Sequence, residues 1–336
     1  MTSPHFEFPV LIADIGGTNA RFALVAHADA ELSPLGQVPT ADYETLEAAA
    51  KACLGAGDTA SAPRSAVVAI AGPVVGEEIP LTNAKWVVKP RDIVSALELS
   101  SIALVNDFEA QAFALPVLDT DSLDVIGPDI PPIDGGKFVL GPGTGLGAAT
   151  LARANGRWIP LPGEGGHVEI GPLTEEDYQV WPFIERNHGR IGAEQILSGT
   201  GLPILGAAVA RARGDLRTFD KASQITEGAE QGDAICAQTL RIFCRALGRV
   251  AGDFALVTLA RGGVYLAGGI PPRIASWLKD GGFREGFESK APHGNLMTQI
   301  PTYIVTHENP AFAGLAAFAK APDSYLVDLH GRYWQN

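Results

Sequence analysis

The chain has 336 residues, enough for two domains that each bury their own core at about 150 residues per domain. Apolar residues make up 46% and charged residues 19%, and a formal net charge of −13 without any basic stripe opposes nucleic acid as a partner. No basic n-region precedes a long apolar stretch in MTSPHFEFPV, and every later apolar run is broken short of spanning length, so a cytoplasmic protein with no membrane contact is expected.

Pro9-Val-Leu-Ile-Ala-Asp14 reads as a short apolar strand, Gly16-Gly17 as a turn and Arg21-Phe-Ala-Leu-Val25 as the returning strand of a β-hairpin. Ala66 to Ala71 and Ser101 to Val105 are continuous apolar runs, the pattern of strands buried on both faces. A second hairpin runs from Lys137-Phe-Val-Leu140 through Gly141-Pro-Gly-Thr-Gly-Leu-Gly147 and back along Ala148 to Ala152. The same device used twice predicts two similar α/β domains facing each other across a cleft. Asp233 to Phe254 predicts an amphipathic helix, with Cys236, Leu240, Phe243, Leu247, Val250 and Phe254 on one face and Arg241, Arg245 and Arg249 opposite. Cys53, Cys236 and Cys244 form no CxxC pair, and the latter two read as packing residues of that helix. Asn309-Pro310 marks the start of a last helix over Ala311 to Ala319, in which the chain is expected to close.

The glycine turns carry the chemistry. Gly143-x-Gly145-x-x-Ala148 matches the dinucleotide fingerprint in form, but the segment after it leads to Ala154-Asn155-Gly156-Arg157, a hairpin turn, where that fingerprint needs a helix. No GxxxxGK[ST] occurs. What remains is a hairpin tip whose backbone N–H groups approach an anion, with the Thr144 hydroxyl beside them. Asp14-Ile-Gly-Gly-Thr-Asn19 is either turn chemistry or a second phosphate loop, with Asp14 placed to hold a metal ion through water. Gly268-Gly269 follows a buried strand and is either an ordinary strand-to-helix turn or a border for an adenine.

Asn106-Asp107 closes the strand that begins at Ser101. A helix cap and a carboxylate base at a strand's carboxyl end both account for it. Leu161-Pro-Gly-Glu164-Gly-Gly-His167-Val-Glu169 spaces ionisable side chains among glycines. His167-x-Glu169 has no P-C-x-x-C partner for a zinc deaminase, and Glu164 with His167 suits a polyhydroxylated ligand, each charge-assisted bond contributing about 1.5–3 kcal/mol.

Taken in order, these segments, with Thr82-Asn83-x-x-Trp86, Glu194-x-Ile-Leu-Ser-Gly199, Leu266 to Ile270 and His307-Glu-Asn-Pro310, resemble bacterial glucokinases of the hexokinase type, within the actin-like sugar kinases. The related repressor/kinase group adds a cysteine-rich zinc motif after its GGH, which this sequence lacks, so the resemblance is to the zinc-free branch. It implies a two-domain actin-like ATPase (ribonuclease H-like) α/β fold with a central cleft, residues 1–117 and 308–336 forming a small domain and 118–307 a large one. It implies ATP-dependent phosphorylation of D-glucose to glucose 6-phosphate, the first step of glycolysis. Asp107 would be the general base, and Asn106, Asp107, Glu164, His167, Glu194 and Asn83 would hold the sugar. Asp14 would position Mg²⁺, Gly16, Gly17, Thr18, Asn19, Gly143, Thr144 and Gly145 would cradle phosphates, and Gly268 and Gly269 would border the adenosine of ATP. Closure of the cleft on the sugar would expel water. A homodimer is common among the look-alikes. Nothing transfers onto the first six or so residues, which precede the family's usual start. A kinase of another hexose or amino sugar, and a non-catalytic ATP switch of the actin or chaperone kind, are the rival readings. A sugar-responsive transcription factor is the third, but no helix-turn-helix precedes the first strand.

Overall fold

Short apolar runs separated by glycine turns become two six-stranded sheets in a computed structural model of the chain, which describes residues 4–56, 62–81 and 84–336. The chain divides into two compact units. The first contains the described residues up to Leu118 with Arg153–Pro162 and Glu308–Asn336, and the second contains Asp119–Ala152 and Gly163–His307.

Across the first sheet the strands run Tyr333–Gln335, Ser101–Asn106, Ser65–Ile70, Val10–Ile15, Asn19–Val25 and Leu32–Pro39. Val10–Ile15, Ser65–Ile70 and Ser101–Asn106 are mutually parallel, while Val10–Ile15 and Asn19–Val25 make the expected antiparallel hairpin. The parallel strands are apolar on both faces because both are covered. Leu11, Ala13 and Ile15 point into one cluster with Leu46, Ala49, Ile93 and Val94, which helices Leu46–Ala56 and Pro90–Ala96 supply. Val10 and Ile12 point into the other, with Ala110 and Phe113 of helix Asp107–Ala114 and Phe312, Leu315 and Phe318 of helix Pro310–Lys320. Those last two helices approach closely: Phe113 and Phe318 stack with centroids 4.7 Å apart.

Two features depart from the sequence reading. The chain closes in a strand: Pro322 stops the last helix at Lys320, and Tyr333–Gln335 returns antiparallel to the edge of Ser101–Asn106. Arg153–Pro162 groups with the first unit, where the Trp158 carbonyl accepts from Leu326 N–H at 2.7 Å and Trp158 bridges Tyr325.

Across the second sheet the strands run Arg157–Gly163, Leu146–Ala154, Lys137–Pro142, Val264–Leu266, Thr302–Val305 and Leu123–Val125. Asn155 and Gly156 both take positive φ, 51° and 76°, as a two-residue hairpin turn requires, and the strand that follows rules out a dinucleotide helix. The amphipathic helix extends over Ala234–Thr258, with the Asp233 carboxylate accepting from the N–H groups of Ile235 and Cys236. Its apolar face fills the core, and all three cysteines are buried. Burial pushes the Asp177 carboxyl up, but Arg245 at 2.7 Å and the N–H groups of Thr174 and Leu173 outweigh this and hold it below the usual carboxylate range.

Gly314 marks the tightest approach of the two helices in the first unit, since a Cβ there would meet the Ala110 carbonyl oxygen at 2.1 Å. Gly314→Val is therefore expected to lower stability by about 1–3 kcal/mol or more, read as a fall in urea midpoint, whereas Gly55→Ala, with open space around it, leaves the midpoint unchanged.

Candidate functional site

In the first unit the polar residues gather where the parallel strands run out. The register sets Ile15 beside Ile70 and Ile70 beside Asn106, so the Asp14–Asn19 hairpin tip and Asn106-Asp107 occupy one edge of the sheet. The tip is rigid: Gly16 N–H donates to the Asn19 carbonyl at 3.0 Å, Thr40 N–H to that of Thr18 at 2.9 Å, and the Thr40 hydroxyl to that of Gly17 at 2.8 Å. Asp14 faces Arg21 across the hairpin at 3.2 Å; burial pushes its carboxyl up and the guanidinium draws it back only in part.

Asn106 carries out the cap. Its Oδ1 accepts from Phe108 and Glu109 N–H at 2.9 and 3.3 Å, its Nδ2 donates to the Gly72 carbonyl at 3.1 Å, and Glu109 returns the bond by accepting from Asn106 N–H. One amide hydrogen of Asn106 remains for a ligand. Asp107 is thereby fixed as the first helical residue, at the positive end of Asp107–Ala114. Asn83 lies outside the described residues. A cavity of about 550 Å³, lined by His5, Glu7, Arg64 and Ser101 among others, opens at the opposite end of the sheet and includes none of the residues singled out above.

In the second unit Leu146 pairs with Pro142, so the tip of the hairpin is Gly143-Thr144-Gly145, closed by Gly143 N–H on the Gly145 carbonyl at 2.8 Å. The Glu194–Thr200 segment braces it. Glu194 Oε2 accepts from Leu146 N–H at 2.8 Å, Gly199 N–H donates to the Gly143 carbonyl at 2.7 Å, and the Thr200 hydroxyl donates to that of Thr144 at 3.4 Å. Glu194 N–H also donates to the Gly166 carbonyl at 2.8 Å, which ties the 164–167 loop to the same tip. The contact is backbone on backbone: a Cβ on Gly166 would lie 1.8 Å from the Leu146 carbonyl oxygen. Glu164 and His167 stand exposed on this turn, 3.7 Å apart. Gly268, at φ 87°, presses on Pro142, whose carbonyl oxygen would be 2.8 Å from a Cβ, and Gly269 follows it beside the tip.

The residues singled out in the sequence thus form two groups. Asp14, Gly16, Gly17, Thr18, Asn19, Asn106 and Asp107 sit on the first unit's sheet edge, and Gly143, Thr144, Gly145, Glu164, His167, Glu194, Gly268 and Gly269 on the second unit. The sequence reading did not single out Glu109, although Asn106-x-x-Glu109 has capping-box spacing, nor Thr40, whose contact with the loop spans 23 positions and leaves no local signal.

A family model described as Glucokinase matches residues 11–322. The chain belongs to the glucokinase family. A curated glucokinase from Sinorhizobium medicae is 48% identical over 332 residues, covering 98% of this chain and 97% of its own. The crystal structure of a glucokinase from an Antarctic psychrotroph superposes with a TM-score of 0.83 at 35% identity, covering 92% of this chain and 98% of its own. A repressor/kinase-group glucokinase from Streptomyces griseus, solved with glucose and AMPPNP, shares the fold at a TM-score of 0.60 and 18% identity, covering 93% and 99%. The architecture of the glucokinase-family chain is accordingly the actin-like ATPase fold of the sugar kinases.

Two glycines of this glucokinase-family site differ in what surrounds them. Gly166→Ala drives a methyl into backbone and is expected to cost at least about 1–3 kcal/mol. Gly145→Ala meets only the Glu194 carboxylate, at 2.5 Å, which moves at the expense of its bond from Leu146 N–H, so its Tm should fall less than that of Gly166→Ala; thermal unfolding of both variants reads the difference.

Proposed function

We propose that the chain transfers the γ-phosphoryl group of ATP to the 6-hydroxyl of D-glucose, as a cytoplasmic glucokinase. The observation that carries this is its membership of the glucokinase family over nearly its whole length. The fold relative that holds glucose and AMPPNP supports both substrates. Family membership favours glucose over the rival hexoses and gives no support to a non-catalytic ATP switch.

Phosphoryl transfer asks little covalent chemistry of a protein, so catalysis is positioning and charge stabilisation. In this reading the Asp107 carboxylate accepts the proton of the 6-hydroxyl as that oxygen bonds to the γ-phosphorus and ADP departs. Its place in the first helical turn, behind the Asn106 cap, fixes the backbone from which the carboxylate projects. Asn106 contributes its remaining amide hydrogen to the sugar, while Glu164, His167 and Glu194 accept or donate to other hydroxyls, with Asn83 assigned there too. The Gly16–Asn19 and Gly143–Gly145 tips present N–H groups to phosphate oxygens, and Gly268-Gly269 leaves room for adenosine.

Asp14 fits Mg²⁺, which takes one or two carboxylates and completes its shell with water and substrate phosphates. Among the described residues no group of three or more His, Cys, Asp or Glu could hold a metal ion by itself, so the ion would come with the nucleotide. Held there, Mg²⁺ would neutralise phosphate charge. No helix among the described residues is long and apolar enough to cross a membrane. The homodimer is part of the proposal, and light scattering reads it as twice the chain mass.

Purified protein with Mg-ATP and a panel of hexoses should release ADP fastest with glucose. Asp107→Ala should fold with a Tm near wild type and lose about 10²–10⁴-fold in kcat. Near-wild-type turnover in that variant, measured by a coupled assay, would remove Asp107 from the mechanism.

A further inference from the structure

Glu109 is a carboxylate with a side chain 1% exposed, two residues past Asp107. It does not face the ligand edge. Its Oε2 accepts both Asn106 N–H at 3.3 Å and Arg332 Nη1 at 2.7 Å, and Arg332 Nη2 reaches Oε1 at 3.4 Å. Arg332 comes from the last segment of the chain. Its own backbone is pinned to the strand that ends in Asn106, with Leu104 N–H donating to its carbonyl at 2.9 Å, and its Nε and Nη2 donate to the Asp328 carbonyl. The guanidinium is therefore locked by contacts on both sides, and only 15% of its side chain is exposed.

Such a pair contributes little net stability, because two charges must be stripped of water before they attract each other. What it does supply is direction: a forked, charged anchor fixes a carboxylate in two dimensions. Burial pushes the Glu109 carboxyl up and Arg332 offsets this only in part, so without the arginine the carboxylate gains a proton more readily and the Asn106 amide loses a charged acceptor.

We propose that Arg332 is a positioning residue for phosphoryl transfer, acting through Glu109 to set the Asn106-Asp107 junction and hence the direction of the Asp107 carboxylate. The inference rests on the reading of Asp107 as the base. It gives the Asp328–Arg332 segment a role in turnover although it touches neither sugar nor nucleotide in that reading.

Steady-state kinetics and Tm of wild type, Arg332→Met, Arg332→Lys and Asp107→Ala test it. Arg332→Met should lower kcat by about 10- to 100-fold, the scale of a misplacement near 1 Å, while KM for ATP stays within about twofold, KM for glucose rises by less than kcat falls, and the protein remains folded at the assay temperature. Arg332→Lys, which keeps the charge and loses the fork, should fall between the two. The proposal is overturned if Arg332→Met turns over within about twofold of wild type, if the loss appears in KM alone, or if it matches a loss of folded protein. Should Arg332→Met fail to fold, Arg332→Lys decides on the same criteria. Asp107→Ala separates the two claims: activity in that variant defeats the base assignment, whereas an inactive Asp107→Ala beside a fully active Arg332 variant defeats this one alone.

Discussion

A parallel strand leaves a sheet with its last peptide groups unpaired, and several parallel strands leave together on the same edge. The first unit gathers Asp14, Asn19, Asn106 and Asp107 where its parallel strands end, while the middle of those strands is Val, Ile, Leu and Ala. The constraint is one of accounting: backbone N–H groups that no strand can satisfy must find an acceptor, and a phosphate or a sugar hydroxyl is one. Hairpin tips made of glycine and threonine expose those groups with the least steric cost. The Asp14–Asn19 and Gly143–Gly145 tips are two answers to the same shortage.

Rigid framing of the tips follows from backbone contacts more than from side chains. Gly166 against Leu146, Gly199 against Gly143 and Gly268 against Pro142 are places where one main chain lies on another, and none tolerates a Cβ without displacement. Glu194 shows how such framing links functions. Its backbone holds the 164–167 loop and its carboxylate holds the 143–145 tip, so one residue spans the regions assigned to sugar and to phosphate.

Much of this was readable from the chain alone, for physical reasons that also mark the boundary. Val10–Ile15 and Lys137–Pro142 announce themselves because buried parallel strands need unbroken apolar runs, and the tips because glycine-rich polar turns punctuate those runs. Helix Ala234–Thr258 follows from its period. By contrast, Tyr333–Gln335 is three residues long and owes its strand form to the free edge of Ser101–Asn106, a partner more than two hundred positions away. At Asn106-Asp107 the cap is carried by Asn106, and Asp107 occupies the first helical turn. The Arg332–Glu109 pair carried no local pattern on the arginine side, since only the folded sheet brings the two together.

The first unit is interrupted in sequence, its early strands and its last helix and strand lying on either side of the second unit. During synthesis, helix Asp107–Ala114 therefore leaves the ribosome with its packing partner Pro310–Lys320 still untranslated, while nearly all of the second unit is made without a comparable wait. Ala110 and Phe113 pack early against Val67 and Val105 of the sheet, but their contacts with Phe312, Leu315 and Phe318 wait for close to two hundred codons. The last helix therefore closes a face that the sheet alone leaves half-built.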